Sequence, residues 1–470
     1  MKIGILSGIY TKTNGDYRNS YPMNLVPVPK QTGISESYLR TADGVIRFDT
    51  GAMSGTDRGG INWNGILYRV VGSSLVKVDS AGVVTYMGDV GNNGVKCSFD
   101  YSFDRMCIGS NGHLYYFDGS SLTVVTDPDM GTVNDVIWVD GYFMTTDGTS
   151  LIVTELNDPM SVNPFKYGSS ESDPDPITGL LKIRGEVYAF NRYTIEVFQN
   201  VGGAVFPFQR ISGALVQKGA VGKDAKCKVA QTYAFLGSGR NEPCSVWLGG
   251  DSNAVKIATR EIEQIISKYT ESQLSSAIVE AREFNAHQHI YIHLPNETLV
   301  YDLAASAAMQ SPIWFTLSSG TGGQAQYRAF NLVYVYNKWI VGDKIDGRIG
   351  YLDSSISTQY GDIAGWQFDT AFLYNQAQAG IIHELELVAI TGLVGLGVSP
   401  SISLSHTKDG FIWSNQKFHS TGQIGQYNKR ITWRRVTGLF RKIVGFRFIG
   451  VNSAVIAFSS LEAKVEALNG

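Results

Sequence analysis

Asn111-Gly-His-Leu-Tyr-Tyr-Phe-Asp118-Gly119-Ser-Ser-Leu122-Thr-Val-Val125 reads as a tight β-hairpin unit. Two β-rich runs flank the Asp118-Gly119 turn and Asn111-Gly112 opens the unit; both dipeptides suit the turns that join antiparallel strands. The frame then recurs. In Asn64-Gly65-Ile-Leu-Tyr68, Gly72 and Leu75 follow at the offsets that Gly119 and Leu122 keep from Asn111. Asp140-Gly141 has Gly148 and Leu151 at those same offsets, and Arg184-Gly185-Glu-Val-Tyr188 repeats the frame loosely, with Ile195 in the Leu position.

The copies lie about 30 to 47 residues apart, the length of three or four short antiparallel strands and of one propeller blade. Such a small sheet cannot cover both of its faces alone, so repetition has a physical reason: neighbours cover them. Degenerate copies continue through Val229–Leu236 with Cys244–Leu248, His289–Leu294 with Thr298–Tyr301, and Lys338–Val341 with Arg348–Leu352. The reading is all-β, with a β-propeller-like domain of six or seven blades of short antiparallel sheets over 49–355.

Two further segments flank it. Residues 1–48 carry Tyr21-Pro-Met-Asn-Leu-Val-Pro-Val-Pro29, whose prolines remove backbone donors and enforce an extended path. An extended N-terminal arm, docking on the C-terminal domain, is the expectation. From 356 to 470 the strands lengthen and alternate, as in His383–Ile390, Ser401–His406 and Val444–Ile449, which predicts a β-sandwich-like domain. A short helical insertion is predicted near 259–280, where Ile262, Ile265 and Ile266 keep helical spacing and Thr270-Glu-Ser-Gln273 has the form of a capping box.

Composition supports this class. The 52 glycines in 470 residues and 17% charged residues compare with usual values of about 7% and about 25%, and 24 Tyr and 22 Phe suit aromatic strands. A net charge of −3 argues against a surface that grips nucleic acid throughout, since that requires many phosphates to be neutralised. Cys97, Cys107, Cys227 and Cys244 lack metal-site spacing and read as small buried side chains in a reducing cytoplasm. The start is too short and too soon polar for a signal peptide, and no run reaches membrane-spanning length.

No catalytic, cofactor or metal site is predicted. Gly219-Ala-Val-Gly222-Lys223 lacks the Ser or Thr of a phosphate loop, with Asp224 in its place. His287, His289 and His293 share one strand face, read as a solvated or interfacial face rather than as metal ligands. Glu171, Asp173 and Asp175 read as a blade connector.

The densest run of charge is cationic: Lys429-Arg430, Arg434-Arg435, Arg441-Lys442 and Arg447, interleaved with Trp433, Phe440, Phe446 and Phe448. The run reads either as a phosphate-facing patch or as a subunit or partner interface in which Arg pairs with carboxylates; the interleaved aromatics favour the interface, since Trp and Arg are typical anchors there. Arg430, Trp433, Arg434, Arg435, Arg441 and Lys442 are the candidate interface.

Short markers along the chain carry a resemblance: Tyr38-Leu-Arg40, Leu215–Gly222, Ile292–Pro295 running to Leu299–Asp302, Ser357-Thr-Gln-Tyr360, and Arg430–Val436 to Ile443–Phe446. With them the chain resembles the packaged-DNA stabilisation proteins, also called tail-hub or head-completion proteins, of short-tailed bacteriophages. The resemblance implies a structural virion tail protein made in host cytoplasm, not an enzyme. It implies a hexameric ring below the portal and adaptor proteins that extends the DNA channel, retains packaged DNA and serves genome ejection. A tail needle or plug protein and tailspikes would be its other partners, with double-stranded DNA passing through the lumen without sequence-specific binding. The alternatives are a propeller that binds or cleaves glycans in receptor recognition and an intracellular propeller scaffold.

Overall fold

The computed structural model describes the chain apart from residues 13–15, 31–36, 52, 157, 251, 324, 375–377 and 469–470. It divides into two compact units, one of Met1–Ile46, Asn296–Tyr327 and Leu352–Gly470, the other of Arg47–Pro295 and Arg328–Tyr351. The sequence reading divides the chain at 48 and 355; the compact units divide it at four places.

In the second unit, Asp57–Trp63, Ile66–Val71, Ser74–Val78 and Val84–Asp89 form a four-stranded antiparallel meander. Meanders of the same order run from Ser98 to Val124, from Asp135 to Ser169 and from Ile177 to Arg210, and a five-stranded one runs from Gly219 to Lys256. One strand of each sheet stands beside its counterpart in the next. Asp57–Trp63 lies beside Ser98–Tyr101, and the series continues through Asp135–Val139, Ile177–Ile183, Lys226–Val229, Ile278–Phe284 and Ala329–Val335, which returns to Asp57–Trp63. Seven inner strands thus close a circle, the arrangement of a propeller.

Packing explains the closure. Trp63, Tyr68 and Val70 of the first meander share a buried cluster with Met106, Ile108 and Phe117 of the second. Cys107, Leu114 and Tyr116 of the second share one with Val136, Phe143 and Ile152 of the third. Leu67, Val76 and Val78 complete the circle against Val333, Ile340 and Ile349. Each sheet is sealed by its neighbours, as the repeat requires.

The turns correct the register of the repeat. Asn64-Gly65, Asp140-Gly141 and Arg184-Gly185 each join a first strand to a second, with both residues at positive φ. Asn111-Gly112 has the same backbone but joins the second strand, Met106–Ser110, to the third, His113–Phe117. The second blade turns between its first and second strands at Ser102–Arg105 instead. Hairpins in a meander follow one another at nearly constant spacing, so a frame can slide by one strand and still match.

In the first unit, one sheet runs in the order Leu25–Pro29, Ser37–Thr41, Ala457–Leu468, Ala379–Ile390 and Ile431–Arg434, with Lys2–Ile3 also beside Ala457–Leu468. A second sheet runs Trp366–Asp369, Gly445–Gly450, Ser401–Thr407 and Lys417–Ser420. Leu25, Leu39, Trp366, Phe368, Leu385, Phe446, Phe448 and Phe458 fill a common core, joined by Ile3 and Ile5. The Met1 amine donates to the Ala463 carbonyl at 3.0 Å, and the Ala463 N–H donates back to the Met1 carbonyl at 2.9 Å.

The helical insertion is Arg260–Ile266 followed by Glu271–Leu274. Thr270 Oγ1 accepts from the Gln273 N–H, and Gln273 Oε1 accepts from the Thr270 N–H, completing the capping box. A further helix, Leu303–Met309, lies outside the sequence reading; the Asp302 carboxylate caps it by accepting from the Ala305 N–H.

Candidate functional site

The cation-rich segment begins at the strand Ile431–Arg434, which pairs antiparallel with Ala379–Ile390, setting Arg434 opposite Glu384 and Trp433 opposite Leu385. Alternation along a strand sends successive side chains to opposite faces. Ile431 and Trp433 therefore point into the core, while Arg434 points out with 82% of its side chain exposed.

Trp433, assigned to the interface from the sequence, is corrected by this placement. It is 4% exposed, its Nε1–H donates to the Lys417 carbonyl at 3.0 Å, and its ring lies edge-on to Phe448 and His419. Phe440, Phe446 and Phe448 are buried in the same core. The interleaving of aromatics and cations is thus the in-out pattern of amphipathic strands, not a surface mosaic.

The five cations of the candidate interface fall into two groups, while Arg447 makes a bidentate pair with the buried Asp369 at 2.8 and 2.7 Å. Arg430 makes a bidentate pair with Glu386 at 2.8 and 2.6 Å, and Arg434 lies 3.4 Å from Glu384, which also receives Lys464 at 2.8 Å. The Lys464 hydrogen bond, then the two nearby cations, holds the Glu384 carboxyl below the usual range; the Arg430 hydrogen bond does so for Glu386. These are solvent-screened pairs within one sheet face and contribute little to stability.

Arg435, Arg441 and Lys442 form the other group. Arg435 leaves the strand at φ 50°, with its N–H donating to the His383 carbonyl at 2.7 Å. Its side chain and those of Arg441 and Lys442 are exposed, and among the described residues no carboxylate pairs with them. Lys417 Nζ donates to the Arg435 carbonyl at 2.6 Å and Lys408 Nζ to the Leu439 carbonyl at 2.9 Å, which gathers further positive charge there. The result is a surface of uncompensated positive charge.

The other sequence candidates resolve structurally. His287, His289 and His293 are buried, not solvated. His293 Nε2 lies 2.7 Å from Glu280 Oε1, and the Glu280 carboxylate also accepts from the Asn331 and Leu332 N–H groups at 3.1 and 2.8 Å. Burial, with Lys344 nearby, pulls His293 down to about 4. Asp173 pairs with Arg240, and Asp175 accepts from the Tyr193 N–H at 2.6 Å, tying the 171–175 connector to its neighbours. A side chain at Gly219 would strike the Asn191 carbonyl, and one at Gly222 the Ser275 carbonyl, so close backbone approach explains both glycines. Burial raises all four cysteine thiols, Cys227 and Cys244 to about 12.

Comparison with known proteins bears on the whole chain. A family model described as the β-propeller of bacteriophage P22 Gp10 matches residues 1–357, and one described as its β-sandwich matches 365–466. The tail hub protein gp10 of Salmonella phage P22 is 31% identical over 477 residues, covering 96% of each chain. Among solved structures, the Pan2 WD40 domain of Neurospora crassa matches at 8% identity and TM-score 0.41, over 67% of this chain and 95% of that one. The designed protein Ika8 matches at 11% identity and TM-score 0.37, over 66% of this chain and all of that one.

Proposed function

The chain belongs to the phage P22 Gp10 family, and from that premise we propose that it is the structural hub of a short phage tail. Copies of it assemble into a hexameric ring below the portal and adaptor proteins and continue the DNA channel. The ring retains the packaged genome until ejection, meets a needle or plug protein at its lower end, and carries tailspikes around it. It works by mechanical sealing, without turnover of a substrate.

The observation that carries this reading is the extent of the likeness to a tail hub protein, 96% of each chain, across both the propeller and the sandwich matches. A net charge of −3 suits a lumen through which DNA slides without being held. Electron microscopy of the purified protein, alone and mixed with the phage's portal–adaptor complex, tests it. Six-fold rings that lengthen the channel are expected. A chain that never forms rings, or particles that keep their genomes without it, would overturn the proposal.

A further inference from the structure

Charge is distributed unevenly along this chain. Between Ser98 and Ser169 the sequence holds ten carboxylates and two cations, Arg105 and Lys166, with Lys182 and Lys226 from outside pairing Asp100 and Asp135. Between Lys408 and Arg447 it holds nine cations and one carboxylate, Asp409, with Glu386, Glu384 and Asp369 from outside pairing Arg430, Arg434 and Arg447. The first stretch is the second and third blades of the propeller. The second is the segment that carries the exposed Arg435, Arg441 and Lys442.

The acidic stretch also has an apolar centre. In an antiparallel meander the turn after the first strand and the turn after the third lie at one end of the sheet. Asp104 and Asp118 sit in those turns of the second blade, and Asp140 and Asp158 in those of the third. The two blade ends are adjacent: the Phe103 and Trp138 rings meet edge-on at 6.0 Å, and the Trp138 N–H donates to the Asp100 carboxylate at 2.7 Å. Phe103 is 91% exposed and Leu156 50% exposed. Arg105 pairs with Asp104, and Lys182 Nζ lies over the Trp138 ring and 3.5 Å from Asp100, so among the described residues the carboxylates at this end without a cation partner are Asp118, Asp140 and Asp158. An exposed apolar centre beside such charge is the anatomy of a docking surface.

On the sandwich, Leu439 is 43% exposed beside Lys408, Arg441 and Lys442. The two surfaces are alike in build and opposite in sign. We propose that the Phe103-centred acidic end of the propeller on one copy receives the Arg435–Lys442 surface of the next copy of this chain, an inference that rests on the ring reading above. A contact between two copies of the same surface would set like charge against like. A head-to-tail contact sets each against its complement, and such contacts generate rings.

Two charge-reversed full-length proteins test the pairing: Asp140→Lys with Asp158→Lys, and Arg435→Glu with Lys442→Glu. Each alone is expected to stay monomeric under conditions where the wild type forms rings. An equimolar mixture regains rings with the two variants alternating, because each then offers the sign that the other lacks. If the wild type forms rings and either variant does so alone, or the mixture stays monomeric, this contact is wrong while the ring stands. Variants that form rings normally but no longer join the portal complex would assign the surfaces to another tail protein and overturn the pairing. A wild type that never forms rings would take the ring reading down with it.

Discussion

Trp433 and Arg434 are neighbours in sequence with opposite environments, one buried beneath the sheet and the other almost wholly in solvent. Their substitutions should separate accordingly. Trp433→Ala removes a large core side chain and leaves the Lys417 carbonyl without its donor, so it should cost about 3–5 kcal/mol in sandwich stability, read by urea unfolding. Arg434→Ala should leave the same transition where it is, since its ion pair is screened. The cation run was legible from the sequence as surface charge. That its aromatic neighbours belong to the core follows only once Ile431–Arg434 and Gly445–Gly450 are known to be strands with one face turned inward. The same holds for the three histidines: a shared strand face was readable, but not that other elements bury that face.

At the scale of the hairpin, the backbone of the inner turns is shared more faithfully than their sequence. Asn64, Asp140 and Arg184 adopt positive φ before a glycine, whereas the turn between Ile278–Phe284 and His287–His293 places Asn285 and Ala286 at φ 45° and 64°. Alanine is disfavoured there by about 1–2 kcal/mol. Ala286→Gly should therefore stabilise the propeller by roughly 0.5–1 kcal/mol, after the greater unfolded-state freedom of glycine is subtracted. Slower hydrogen exchange along Ile278–Phe284 would register it. Turns built from Asn-Gly or Asp-Gly revealed the repeat, while Ala230-Gln231 and Asn285-Ala286 blurred it by lacking the glycine. The helix at Leu303–Met309 was also available in principle: Asp302 precedes a run rich in alanine, a capped helix start. It was hidden by the strand pattern of Thr298–Asp302, which ends on the capping residue itself.

For the molecule as a whole, the propeller was readable because its logic is local: a small sheet with two apolar faces implies neighbours, and neighbours imply closure. The sandwich was readable as strands but not as a set of partners, since Lys2–Ile3 and Ser37–Thr41 both flank Ala457–Leu468 across almost the entire chain. Removing residues 1–6 takes Ile3 and Ile5 from the core and unpairs Met1 from Ala463. The loss should be about 3–6 kcal/mol in the sandwich, seen as faster hydrogen exchange along Ala457–Leu468, with amides of the inner propeller strands unaffected. That pairing has a consequence for the order in which the chain folds. Synthesis delivers Ala457–Leu468 only after every strand it must join, so the propeller meanders can mature on the ribosome while the sandwich waits. A prematurely terminated product lacks the strand that knits the sandwich together, so its sandwich is expected to stay open while its propeller meanders form.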